Sequence, residues 1–255
     1  MDMHAIYPDL KGASVLITGG GGGIGAALTE GFCRQGAKVA FIDVAEEESL
    51  ALVEQMEAQT GVRPLYFNTD LTDGAAVADA CERAADAHGT ITILVNNAAW
   101  DDRHDLADVD DAYWEKNTSI NLRHPFLTVQ NTIDGMIAAG GGSIINFTST
   151  SFMLNIGDMP TYTASKAGII GFTKGIAGKY GQHGVRANCI APGWVMTERQ
   201  KALWATPEAV ADFMKRQAIK TPMEPSQIIG PTLFLASSAS SGVTAHTLIA
   251  DHGVL

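Results

Sequence analysis

Short apolar runs recur along this chain, separated by longer amphipathic stretches. The first is Ser14-Val15-Leu16-Ile17-Thr18, and the second is KVAFID, Lys38 to Asp43. Others lie near 63–68, 91–96, 143–149, 185–191 and 246–250. A run that is apolar throughout, rather than alternating, suits a strand covered on both faces. The stretches between carry helical spacing and predict helices over about 24–35, 45–59, 73–88, 109–138, 161–181 and 225–237. Strand and helix alternating at these lengths predict an α/β fold. It is one doubly wound parallel sheet of about seven strands, with helices on both faces. Ligands of such sheets bind outside the carboxyl ends of the strands.

The end of the first run sharpens this picture. Glycines fill positions Gly19 to Gly23, followed by Ile24 and Gly25. Strand, glycine turn and helix together make a phosphate cradle. Glycine lets the backbone approach a pyrophosphate, and the helix start offers free N–H groups. The fold is therefore read as Rossmann-type, with Gly19, Gly22, Gly23 and Ile24 as candidate cofactor contacts. The spacing T-G-x-x-x-G-x-G differs from the G-x-G-x-x-G of other dinucleotide folds. Asp43 ends the second strand about twenty residues on. An acid there can accept hydrogen bonds from ribose hydroxyls and repels a 2′-phosphate, so NAD is expected over NADP.

A second cluster carries chemistry of another kind. Tyr162 and Lys166 are four apart, and Ser149 lies upstream at a strand end. On a helix, positions i and i+4 share a face. An ammonium beside a phenol is expected to favour the phenolate. A serine hydroxyl could hold a substrate oxygen against it. The three read as a proton-transfer device for an alcohol or carbonyl.

Composition narrows the class. The chain has 255 residues, 46% of them apolar, enough for one large core. No linker or repeat divides it, so residues 1–255 read as a single dinucleotide-binding and catalytic domain. No apolar run approaches the roughly 18 residues that span a bilayer. The start, MDMHAIYPDLKG, lacks the pattern of a signal peptide, so a cytoplasmic location is expected. Cys33, Cys81 and Cys189 read as small buried hydrophobes rather than bridges or metal ligands, and no metal is expected. The formal charge of −11 argues against nucleic acid and anionic membranes as partners.

With these motifs in order, the chain resembles the short-chain dehydrogenase/reductase family over essentially its full length. Thr18-Gly19, Gly23 and Gly25 match that family's cofactor turn. Asp70-Leu71 match its acid near the adenine, and Asn96-Asn97-Ala98 most of its N-N-A-G strand end. Asn121 matches a helix asparagine that continues a proton relay from the lysine through water. Pro192-Gly193-Trp194-Val195-Met196-Thr197 match the segment that grips the nicotinamide amide. The resemblance implies Asn121, Ser149, Tyr162 and Lys166 as catalytic residues. It implies Asp70, Leu71, Asn97, Ala98, Tyr162, Lys166, Pro192, Gly193, Val195 and Thr197 as further cofactor contacts. It also implies a homotetramer with dihedral symmetry, with a dimer as the alternative. Two positions depart from the pattern. Ala99 stands for the last glycine of N-N-A-G, where an added methyl is expected to tilt the loop. Ala250-Asp251-His252-Gly253 stands for V-D-G-G.

Substrate contacts are expected from loops at the strand ends: Trp100, Ser149, Ser151, Asn155, Tyr162, Trp194, Gln200 and Trp204. A substrate-binding loop is expected at about 194–220. Indole faces beside polar groups suit a compact polyhydroxylated ring. Asp101-Asp102-Arg103-His104, Ala112-Tyr113-Trp114, Asn121-Leu122-Arg123-His124 and Thr197-Glu198-Arg199-Gln200 look like bacterial NAD-dependent D-xylose 1-dehydrogenases of the same family. That likeness implies oxidation of an aldose at C1 to a lactone. The alternatives are a polyol or hydroxysteroid dehydrogenase, an acyl-carrier-protein reductase and a non-catalytic NAD-binding regulator. Asp43 and the acidic charge weigh against the reductase, and an intact Ser149, Tyr162 and Lys166 against the regulator.

Overall fold

The computed structural model describes residues 5–255. The reading of the first residues as lacking a signal peptide falls partly on residues 1–4, outside the described residues. Seven strands are all parallel: β1 (Ser14–Thr18), β2 (Lys38–Asp43), β3 (Leu65–Asn68), β4 (Ile93–Asn96), β5 (Gly142–Phe147), β6 (Val185–Pro192) and β7 (Thr247–Ala250). Their order is β3-β2-β1-β4-β5-β6-β7. The chain direction across the sheet reverses between β1 and β4, and a doubly wound sheet binds its ligand at that crevice.

The helices are α1 (Gly23–Arg34), α2 (Glu46–Thr60), α3 (Gly74–His88), α4 (Asp111–Thr118), α5 (His124–Ala138), α6 (Pro160–Tyr180), α7 (Glu198–Leu203), α8 (Pro207–Arg216) and α9 (Ile229–Ala236). They cover both faces because every β1 residue is buried. Val15 and Ile17 pack with Leu28, Phe32 and Leu233 on one side. Leu16 packs with Val77, Val129 and Ile176 on the other. At about 25 cal/mol per Å², two such layers supply most of the driving force for folding.

The differences from the sequence reading have local causes. The helix expected over 109–138 is two helices joined by a π-helical segment at Ser119–Arg123. Its apolar spacing runs through the join unbroken, so periodicity does not reveal it. The helix expected over 225–237 begins as a 3-10 turn at Pro225–Ile228. The expected loop at 194–220 contains α7 and α8. Both start from threonine caps: Thr197 accepts from the amide of Gln200 and Thr206 from that of Ala209, each at 3.2 Å. Strand β5 stops at Phe147, so Ser149 lies just past the strand. Cys33, Cys81 and Cys189 are buried free thiols, and burial pushes the first two up to about 12. Among the described residues no helix is long and apolar enough to cross a membrane.

Candidate active site

A cavity of about 1660 Å³ opens over the carboxyl ends of the strands. That is larger than a typical small-molecule pocket and suits a dinucleotide with a substrate beside it. The glycine turn forms its floor. A Cβ at Gly25 would stand 1.7 Å from the Gly19 carbonyl oxygen, so a side chain there cannot be accommodated. Gly23 has φ +53°, and a Cβ on it would press on the Thr197 methyl at 3.1 Å. Gly22 caps α1 with no side-chain bond, which leaves the first amides of that helix free for an anion. The cradle fits a pyrophosphate.

Asp43 has a structural share in this turn. Its carboxylate accepts from the amides of Gly21 at 2.8 Å, Val44 at 2.8 Å and Ala45 at 3.0 Å. It also lines the cavity beside Gly22, Asp70 and Leu71. Asn97 holds the turn from below, its amide nitrogen donating to the carbonyls of Thr18 at 3.1 Å and Gly19 at 3.0 Å. Ala98, Pro192, Gly193, Val195 and Thr197 line the same wall. Ala99 also lines it, is exposed and keeps φ out of the left-handed region. The extra methyl therefore strains nothing.

Behind Gly193 sits the C-terminal segment. Gly193 donates its amide to Ala250 at 2.9 Å. The Asp251 carboxylate accepts from the amides of Gly253 at 2.8 Å and Leu255 at 3.0 Å. His252 receives the amides of Ala218 at 2.8 Å and Ile219 at 3.0 Å. His252 replaces the more usual glycine yet has φ +58°. This segment ties the Pro192–Thr197 wall to the end of the 194–220 region.

Ser149, Tyr162 and Lys166 meet at the inner end of the cavity. Lys166 is 2% exposed. Its Nζ donates to the Phe147 carbonyl at 2.9 Å and lies 5.5 Å from the centre of the Tyr162 ring. The acidity of the phenol runs opposite to expectation. Burial holds Tyr162 well above the usual phenol range, the Asp101 charge adds to that, and a hydrogen bond with Ser149 opposes it. Burial pushes Lys166 down to about 8, opposed by Asp101. The lysine does not depress the phenol because loss of water dominates at both groups.

Two residues of the expected set do not line the cavity. Asn155 is exposed, with φ 55°, and serves the turn rather than the pocket. Asn121 is fully buried in the π segment and bonds the main chain of Trp100. It accepts from the Trp100 amide at 3.0 Å and donates to the Trp100 carbonyl at 2.9 Å. Trp100, Ser151, Trp194, Gln200 and Trp204 do line it. The Ser151 hydroxyl and the Trp204 indole nitrogen are buried there without a protein partner.

Asp101 joins these walls, a role the sequence reading did not assign to it. It accepts from the Gln200 amide at 2.5 Å and pairs with Arg199 at 3.4 Å. Arg199 also pairs with Asp102. Gln200 in turn accepts from the Trp194 indole at 2.8 Å. Arg103 lies 4.6 Å over the Trp204 ring, and His104 reaches Thr161 Oγ1 at 3.0 Å. The contacts of Asp101 and Asp102 with Arg199 and Gln200 join residues 97–99 apart in sequence, and no local spacing announces them.

The chain belongs to the short-chain dehydrogenase/reductase family, a class of nicotinamide-dependent oxidoreductases. A family model described as Enoyl-(Acyl carrier protein) reductase matches residues 20–255. The chain is 48% identical to "Probable galactose dehydrogenase GalD" of Rhizobium meliloti (strain 1021) over 248 residues, 97% of each chain. It is 44% identical to D-xylose 1-dehydrogenase of Caulobacter vibrioides over 250 residues, 98% of each chain. A crystal structure from Sinorhizobium meliloti 1021, assigned to the short-chain alcohol dehydrogenases, matches at TM-score 0.90 and 31% identity over 96% of each chain.

Proposed function

We propose that this protein oxidises an aldose such as D-xylose, L-arabinose or D-galactose at C1 to the aldonolactone, with NAD as acceptor. The observation that carries this reading is the likeness to galactose and D-xylose dehydrogenases at 48% and 44% identity over nearly the whole chain. Asp43 at the ribose end of the cavity favours NAD, since a 2′-phosphate would meet its charge. The Gly19–Gly25 turn holds the pyrophosphate, and the Pro192–Thr197 segment holds the carboxamide. A nicotinamide held there would supply the hydride acceptor for C1.

The chain's own groups supply placement and proton transfer. Ser149 orients the sugar C1 oxygen against Tyr162. Tyr162, as phenolate, takes the C1 hydroxyl proton. Lys166 binds the nicotinamide ribose and returns positive charge to the pocket when protonated. Asn121 fixes the Trp100 main chain at the edge of the cavity. Trp100, Ser151, Trp194, Gln200 and Trp204 surround the ring, their apolar faces against its carbons and their polar atoms at its hydroxyls. One domain does both jobs, with the 194–220 region as the substrate cover. The protein works in the cytoplasm as a homotetramer.

A panel of aldoses, polyols and ketones with NAD and NADP tests this. Reduction of NAD by an aldose, with a lactone as the first product by NMR, is the expected outcome. A keto-sugar product, or a preference for NADP, would overturn it.

A further inference from the structure

His124, the first residue of α5, is 1% exposed and has no part in the proton transfer described above. Its two ring nitrogens meet partners of opposite kind. Nδ1 faces the main-chain oxygen of Ile120, which can only accept. Nδ1 therefore carries the proton and Nε2 keeps a lone pair. Nε2 lies 3.1 Å from the Thr18 hydroxyl. That hydroxyl already accepts from the amides of Asn97 at 3.1 Å and Ala98 at 3.2 Å. Both its lone pairs are taken, so its proton goes to His124. One line of bonds thus runs from the end of β4, through the end of β1 and the imidazole, to the π segment. Only one tautomer satisfies it.

Each end of this line holds part of the site. Thr18 precedes Gly19, and the Asn97 amide clamps the carbonyls of both. Ile120 precedes Asn121, which holds the Trp100 main chain. A π-helical turn inside a helix is rare and is frequent at functional sites. We infer that His124 is a positioning residue that fixes the glycine turn against the Asn121–Trp100 segment, and so sets the spacing between bound dinucleotide and substrate wall. Burial suits this role, for it holds the imidazole far down, at about 3. A second proton on Nε2 would face a hydroxyl with no free lone pair. The inference rests on a dinucleotide at the glycine turn, not on which aldose is oxidised.

Two variants test it. His124→Phe keeps a ring and removes both contacts. His124→Asn keeps a donor near Ile120 and is too short to reach Thr18. NADH affinity is read by calorimetry, kcat and KM by turnover, and local opening by hydrogen exchange in ligand-free protein. For His124→Phe we expect NADH binding weakened about tenfold and kcat/KM lowered on the order of 10²-fold, the scale of a misplaced site. Exchange should rise together over residues 18–25 and 119–123. For His124→Asn, NADH affinity should fall similarly, with exchange raised over 18–25 alone. If either folded variant binds NADH within twofold of wild type with unchanged exchange over 18–25, His124 only fills the core. If His124→Phe does not fold, His124→Asn decides alone. A wild-type protein that does not bind NADH would bring down the cofactor reading and this inference together.

Discussion

Tyr162 is a phenol that its surroundings have made a weaker acid, while the proposed chemistry needs its anion. Tyr162→Phe should therefore lower aldose-dependent NAD reduction by at least about 10²–10⁴-fold while NADH still binds, since only the hydroxyl is lost. In the wild type, burial raises the phenol, so phenolate accumulates only toward alkaline pH and oxidation should climb in that direction. A rate flat from pH 6 to 10 would count against the tyrosine as base. His124 gives a dependence on the acid side. Its ring titrates near 3 when folded and near 6.5 when unfolded. Between those values only the unfolded chain takes up the proton. Stability should thus be unaffected by this group above about pH 6.5 and fall steadily below it, by a few kcal/mol in all. Denaturant titrations at several pH values should show a shallower acid limb in His124→Gln. That Ser149, Tyr162, Lys166 and the glycine turn share one cavity was legible in the sequence, because short spacings and strand ends place them there. Asp101 and His124 were not, because each acts on partners brought near only by the folded sheet.

The elements were legible where one period ran cleanly, as in the strands and in α1, α2, α3 and α6. They were not where two structures share a period. The π segment hides inside helical spacing, and α7 and α8 are short helices whose threonine caps are easily taken for loop residues. On the proposed reading, helix α7 is the element that matters most for substrate. Arg199 and Gln200 on it fasten to Asp101 and close the outer wall of the cavity. The ion pairs are half exposed, so each contributes only about 0–1 kcal/mol. Arg199→Ala should raise the aldose KM by roughly 3–10-fold while leaving NADH affinity unchanged. Equal loss of both affinities would mean that α7 supports the whole site and not the sugar side.

At the scale of the whole molecule, one sheet with its reversal between β1 and β4 places every motif on the same rim, which the β-α alternation already implied. Assembly is less directly written. Trp114 on α4 and Phe126 on α5 are 45% and 49% exposed, and Phe126 lies 6.3 Å from Phe172 of α6. A surface of this kind suits pairing of α4, α5 and α6 about a two-fold axis. Light scattering should give a homotetramer at micromolar concentration, and Phe126→Glu should reduce its mass. A monomeric wild type would refute this. The far end of the chain has a practical side. Leu255 is tied to Asp251, which packs directly behind Gly193. A bulky fusion partner joined directly after Leu255 would tug on the Pro192–Thr197 wall and, on the proposed reading, weaken cofactor binding. A flexible spacer of about ten residues should relieve the tug, which makes tag placement a cheap mechanical probe of that wall.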